Sequence, residues 1–395
     1  MRHHPGCPTP LWFDIFCQVV DNFGDIGVCW RLARQLAAAP HRHHVRLWVD
    51  DLHTFQRLEP GVNAQQRLQQ LDGVQILHWT TDTPARYFAG SGARADANSV
   101  VIEAFGCDLP PAVLNAMPER NCLWLNLEYL SAEDWVEGFH LQPSLQPGGL
   151  RKHFFFPGFT VKTGGLLREP GLLEKRNAWQ ANPAARRALL AQCGLNTTDI
   201  DTIDNGARLV LVFCYPDAPL SALAQALAAN SRPTVLLLPD GVWPGVEDTI
   251  DAGTGRLQIR RIPFLRQPDF DRLLWSCDLN IVRGEDSWVR AHWAGRPMIW
   301  QPYTQAENAH WVKLDAWLAR TPLHADTRKL IRHWTAGDET AFSLGLAHHL
   351  QADIWTRWEQ QSAAWCHALA AQPDLASNLL TFCAGFPVAT ANRLK

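Results

Sequence analysis

Three features that would declare a function outright are missing from this chain of 395 residues: an excess of charge of one sign, a long apolar run, and closely spaced metal-ligating residues. Lys and Arg number 36 against 39 Asp and Glu, a formal net charge of −3, so nothing provides the electrostatic footprint of a nucleic-acid or anionic-membrane binder. No segment approaches the roughly twenty apolar residues of a bilayer span, and the opening Met1–Pro8 lacks the apolar core of a signal peptide. The expectation is a soluble cytoplasmic protein with no nucleic-acid and no membrane partner. The 10 cysteines include no C-x-x-C pair, which fits reduced, mostly buried thiols. The 16 histidines form no H-E-x-x-H and no Cys/His ligand spacing, so no metal is expected. Also absent are the G-x-G-x-x-G dinucleotide fingerprint, low-complexity tracts and the short-period repeats of a solenoid.

What the chain does have is length for two domains and an alternation of apolar strands with helical segments. Residues 11–20, 44–49, 74–79, 99–104 and 122–127 read as strands of a first half; 208–213, 234–238, 257–262 and 278–282 read as strands of a second. Such alternation implies mostly parallel sheets covered on both faces. Between 141 and 180 the pattern breaks into Pro/Gly-rich sequence that reads as an excursion or linker, with a boundary near 165–185 and helices dominating toward the end. Two similar α/β halves invite a ligand cleft between them. The 18 tryptophans fall mostly at helix or strand positions such as Trp275, Trp288, Trp293 and Trp300, where core packing is the default.

Two junctions concentrate polar residues. The first, Val20-Asp21-Asn22-Phe23-Gly24-Asp25-Ile26-Gly27, sets two carboxylates and two glycines where the first strand meets the first helix, the edge that faces ligand in α/β folds. This places Asp21 and Asp25 on a connecting loop, with Gly24 and Gly27 allowing close backbone approach; the plainer alternative is Asp25 as N-cap of a helix opening at Ile26. The second is Arg283-Gly284-Glu285-Asp286-Ser287, between a strand and a helix beginning near Ser287 and followed by an Ala-Gly-Arg-Pro turn. A helix N-terminus there forms an anion site, to which Arg283 adds a guanidinium, Ser287 a hydroxyl and Asp286 an acceptor for a ribose hydroxyl. The alternatives are capping by Asp286 or Ser287, and an Arg283–Glu285 surface pair. Just upstream, the loop holding Phe264, Gln267 and Phe270 offers an aromatic and an amide suited to a nucleobase.

These two stretches together, with Leu274-Trp275-Ser276-Cys277-Asp278 leading into the second, closely resemble the bacterial protein-arginine rhamnosyltransferases of elongation factor P, the EarP family, over most of the chain. The resemblance implies a GT-B glycosyltransferase: two Rossmann-like domains facing across a cleft, residues 1–180 and 181–355, with helices in 356–395 returning to the N-terminal domain. It implies an inverting, metal-independent transfer of L-rhamnose from dTDP-β-L-rhamnose to an arginine of elongation factor P, with no cofactor. It assigns Asp21, Asp25 and Glu285 to catalysis. The donor falls to Tyr215, Phe264, Gln267, Phe270, Arg283, Asp286 and Ser287, and Asn22, Phe23, Gly24 and Gly27 form the loop beside the catalytic carboxylates.

The chemistry asks for such residues. A guanidinium stays protonated, with a pKa above about 12, and its lone pairs are delocalised, so one base is not enough. Two carboxylates can hold it, aim one nitrogen at the anomeric carbon and take the proton as the bond forms. The competing readings are a non-catalytic nucleotide-binding protein, a GT-B transferase for a small-molecule or lipid acceptor, and a dinucleotide oxidoreductase; the last would set Asp21 and Asp25 against a pyrophosphate without the glycine fingerprint.

Overall fold

In a computed structural model the described residues are 10–20, 23–80, 99–120, 122–246, 255–304 and 306–386. The chain divides into two compact units, Met1–Glu169 with Pro373–Lys395, and Pro170–Gln372.

The first unit is built on eight strands: β1 Trp12–Cys17, β2 His44–Val49, β3 Leu68–Leu71, β4 Val74–His78, β5 Ser99–Ala104, β6 Leu123–Leu127, β7 Pro143–Leu145 and β8 Arg151–Phe155. Their order is β3-β4-β2-β1-β5-β6-β8-β7, parallel except for the outer pairs β3–β4 and β7–β8. Period-two alternation makes the sheet two-sided. Phe13, Ile15 and Cys17 of β1 face the helix Gly24–Ala37 and a core holding Trp30, Leu36, Leu47 and Ile102, whereas Phe16 packs on the other side with Trp48, Trp79, Met117 and Trp124. On that second side β1 also carries the fully buried Asp14, which accepts from Arg46 Nη2 at 2.6 Å and Trp48 Nε1 at 2.8 Å. A charge in a central strand is tolerated because its partners lie on the adjacent strand, Asp14 in register with Arg46.

The second unit has five parallel strands, β9 Arg208–Val212, β10 Thr234–Pro239, β11 Leu257–Ile262, β12 Leu279–Arg283 and β13 Met298–Gln301, in the order β11-β10-β9-β12-β13. Reversal of the order between β9 and β12 creates a Rossmann-like switch point, and ligands of such sheets bind outside the carboxyl ends of the strands there. The first sheet reverses in the same way between β1 and β5. The described residues thus form two Rossmann-like α/β units, the two domains that the resemblance implies.

Three expectations about organisation need correction. Residues 141–155 are not linker: Pro143–Leu145 and Arg151–Phe155 form an antiparallel pair on the sheet edge, a hairpin whose Pro-Gly-Gly tip disguises it as loop in the sequence. The first unit ends at Glu169 rather than 180, and the helix Leu172–Gln180 belongs to the second. Of the terminal helices, Ala352–Ala370 also belongs to the second unit; the helix Leu375–Ala384 groups with the first, where Leu375, Ala376, Leu379 and Cys383 join the core beneath the Gly24–Ala37 helix. Asp374 holds that return, accepting from Ala376 N, Ser377 N and Gln35 Nε2.

Among the described residues the nine cysteines are free, and eight of them are buried. No described helix is long and apolar enough to cross a membrane. The tryptophans assigned to packing, Trp275, Trp288, Trp293 and Trp300, are each at most 6% exposed.

Candidate active site

In the first unit the polar residues gather where β1 gives way to the Gly24–Ala37 helix. Asp21 and Asn22 lie outside the described residues. The helix opens at Gly24 with Phe23 as its N-cap residue, and Phe23 makes no side-chain capping bond. Asp25 is therefore inside the first helical turn, neither on the loop nor an N-cap, and Gly24 and Gly27 are helical as well. The carboxylate of Asp25 is 2% exposed and reaches back to accept Val20 N–H at 2.8 Å. One residue earlier, Val19 N–H donates to Asp50 Oδ1 at 2.9 Å, from the end of β2. Two carboxylates thus pin successive amides of the segment that leads into Asp21. Burial raises the Asp50 pKa against the lowering effect of its backbone hydrogen bonds. Phe23 lies under Arg57, 5.2 Å from its ring centre.

In the second unit the constellation sits at the switch point. Arg283 ends β12, and its guanidinium carbon lies 4.6 Å from the ring centre of Phe213 and 4.6 Å from that of Tyr215, both in the loop after β9. A planar guanidinium held by aromatic faces keeps its N–H edges in plane for an anion, which suits bidentate recognition of phosphate. The alternative of Arg283 as a surface charge paired with Glu285 does not describe this packing between two aromatic rings.

Gly284 then turns the chain at φ 64°, a left-handed conformation that costs glycine little. Its carbonyl accepts Trp300 Nε1–H at 2.9 Å. Trp300 is stacked on Trp288 at 3.6 Å with ring planes 3° apart, so the turn rests on packed indoles. The following helix spans Asp286–Ala294 with Glu285 at the N-cap and no side-chain capping bond, so neither Asp286 nor Ser287 is spent on capping. Ser287 Oγ instead donates to the carbonyl of Arg283, leaving its oxygen as an acceptor; to donate to a phosphate it must rotate away from that bond.

Phe264, expected at the base, is 43% exposed beyond β11. Gln267 opens the helix Gln267–Ser276 and donates through Nε2 to Asp286 Oδ2 at 3.3 Å, joining the proposed base and ribose residues. Phe270, one turn later, meets Phe213 edge-on at 5.9 Å. Of the seven donor candidates, Arg283 ends β12, and Tyr215, Phe264, Gln267, Phe270, Asp286 and Ser287 lie on the loops and helix starts that follow β9, β11 and β12.

Sequence reasoning missed what holds these residues in place. The buried pair Arg290–Asp271, with Nε–Oδ1 at 3.0 Å and Nη2–Oδ2 at 2.7 Å, ties the helix bearing Gln267 to the helix bearing Asp286. Gln301 spans two loop residues, accepting Tyr215 N–H at 2.8 Å and donating to Asp217 Oδ1 at 2.8 Å. A charged pair 19 positions apart and a glutamine ending a strand carry no sequence signature; only the strand order makes them neighbours. Among the described residues no three His, Cys, Asp or Glu side chains group as a metal ion requires.

Comparisons with known proteins place the chain in a family. Residues 13–384 match the model of the family described as elongation factor P (EF-P) rhamnosyltransferase EarP. A protein-arginine rhamnosyltransferase of Pseudomonas putida is 48% identical over 385 residues, covering 94% of this chain and 98% of the relative. One from Neisseria meningitidis is 34% identical, covering 95% and 97%. A solved structure on EarP-mediated arginine glycosylation of translation elongation factor EF-P is 35% identical, with TM-score 0.61 over 94% of this chain and 98% of that one. A UDP-glucosyltransferase of Polygonum tinctorium, 13% identical with TM-score 0.53 over 95% of this chain and 99% of its own, shares the fold. A match over nearly the whole chain, on two Rossmann-like units with a buried carboxylate at the strand-to-helix junction of one and an arginine held by aromatic rings at the switch point of the other, leads to one conclusion: this chain belongs to the EarP family of protein-arginine rhamnosyltransferases.

Proposed function

We propose that this enzyme transfers L-rhamnose from dTDP-β-L-rhamnose to an arginine side chain of elongation factor P, with inversion at the anomeric carbon. The observation that carries the donor half is Arg283, held against Phe213 and Tyr215 at the switch point of the second unit. The donor diphosphate meets the Arg283 guanidinium and the N-terminus of the Asp286–Ala294 helix, whose free N–H groups and dipole favour an anion. Asp286 with Gln267 takes the ribose side, and Phe264 with Phe270 the thymine. Charge developing on the leaving dTDP is stabilised by these fixed donors without a metal.

In the acceptor half, Asp21 and Asp25 bind the guanidinium of the partner's arginine by charge-assisted hydrogen bonds and orient one nitrogen for in-line attack. Asp25 takes the proton as the C–N bond forms and the C–O bond to the diphosphate breaks. Glu285, beside the diphosphate-binding turn, orients the rhamnose or secures the guanidinium. A β-linked donor attacked from the opposite face yields an α-linked product and needs no covalent sugar–enzyme intermediate. Proton and carbon NMR of the modified arginine tests this: the account expects an α-L-rhamnosyl linkage, and a β linkage overturns inversion.

A further inference from the structure

A neutral side chain in the second unit, outside the assigned set, bonds the backbone of one assigned residue, Tyr215, and braces the loop that carries it. Gln301 ends β13, is 3% exposed, and lies in register with Arg283 on β12. Its amide is used at both ends. The oxygen accepts Tyr215 N–H at 2.8 Å, and the nitrogen donates to Asp217 Oδ1 at 2.8 Å. Thr304 Oγ1 reaches the other oxygen of Asp217 at 3.4 Å. Tyr215 and Asp217 belong to the loop after β9, which leaves the sheet after Phe213 N–H bonds to Ile281. One glutamine therefore fastens that loop across the carboxyl end of β12.

We infer that Gln301, braced by Asp217, is a positioning residue for donor binding: it fixes the loop whose Phe213 and Tyr215 hold the Arg283 guanidinium. The inference rests on the reading of Arg283 as the diphosphate ligand. A loop free to move would have to be ordered each time the donor binds, and that entropy comes out of the affinity. The bridge also dictates the residue type. Oxygen must face Tyr215 N–H and a donor must face the Asp217 carboxylate, and of the side chains of this length only glutamine offers both. Glutamate keeps the first bond but sets a carboxylate against Asp217 at 2.8 Å separation, a contact that needs a shared proton.

The test measures dTDP affinity by calorimetry, together with donor KM and kcat for rhamnosyl transfer. Gln301→Glu is expected to weaken dTDP about tenfold at pH 8 and by less at pH 5.5, with donor KM rising and kcat changing little. Asp217→Asn alone is expected to stay within about threefold, because its amide can present oxygen to Gln301. The double variant, Gln301→Glu with Asp217→Asn, restores complementary partners and is expected to return to within about threefold of the parent. Asp217→Ala, at an exposed position, is expected to weaken dTDP in the same direction as Gln301→Glu. Unchanged affinity in both Gln301→Glu and Asp217→Ala, or a double variant no better than Gln301→Glu, overturns the inference. Arg283→Ala separates the two layers: if it leaves dTDP affinity unchanged, the diphosphate reading itself fails; if it alone weakens dTDP, only the positioning role of Gln301 fails.

Discussion

Asp25 combines burial, a place in the first turn of a helix and a backbone partner five residues back, so its geometry is set by the chain rather than by solvent. Replacing it with asparagine keeps shape and the Val20 bond while removing basicity. Turnover of Asp25→Asn is expected to fall on the order of a hundredfold or more with dTDP affinity nearly unchanged; equal loss of both would remove its assignment as base. Asp50 behaves differently. Its pKa is raised by burial, so above the ordinary value of 3.8 a carboxyl here costs folding stability. Asp50→Asn retains an acceptor for Val19 N–H and is expected to melt at a higher temperature than the parent at pH 7. That advantage should shrink as the pH falls through the raised pKa and vanish below the ordinary value of 3.8. Melts that coincide at pH 7 would contradict it.

At the scale of elements, the second unit presents its site residues through helix starts that are locked to each other. The Asp271–Arg290 pair is 6% and 2% exposed and joins the two helices that begin at Gln267 and Asp286. Removing one partner leaves a buried charge uncompensated, so Asp271→Ala is expected to cost about 3–5 kcal/mol in urea unfolding. A loss under about 1 kcal/mol would show the pair to be solvated instead.

The two junctions themselves were legible in the sequence because an apolar run, a polar turn and a helical pattern follow in order; β2, β4, β5, β6 and β9 to β12 fall within a residue of their expected ends, β1 is shorter than expected, and the short edge strand β3 was not legible. The helix starts were read two residues late at Ile26 and one late at Ser287, since each begins on a residue that makes no side-chain cap: Phe23 in the first and Glu285 in the second are N-caps without capping bonds. The hairpin at 143–155 was not legible. A three-residue edge strand opening on proline gives too little alternation to register. Nor could Gln301 and Asp217, whose partnership is set by the β9–β12–β13 adjacency, or Asp271, whose partner Arg290 lies on a neighbouring helix, be singled out, because neither pairing follows from spacing along the chain.

Over the whole molecule, acid sensitivity follows from histidines that fold without their proton. Burial lowers His292 to about 3 and His140 to about 4, from an ordinary 6.5. Below pH 6.5 the unfolded chain takes up protons that these rings in the folded chain refuse, so their contribution to stability is present above 6.5 and is lost as pH falls toward 4 and then 3. Stability is expected to decline over that window, with a shallower slope in His292→Gln. Parallel slopes for parent and variant would show that His292 is protonated in the fold.

In the proposed reaction the first unit supplies carboxylates for a protonated guanidinium and the second supplies cationic and N–H groups for a diphosphate, a complementarity suited to joining a cationic acceptor to an anionic donor. The most direct measurement is the intact mass of elongation factor P after incubation with this enzyme and dTDP-β-L-rhamnose, with fragment spectra to locate the change. The account predicts a gain of one deoxyhexose on one arginine, abolished by Arg283→Ala at limiting donor. An unmodified mass under conditions where the enzyme binds dTDP would contradict the acceptor, and a gain at a residue other than arginine would contradict the chemistry.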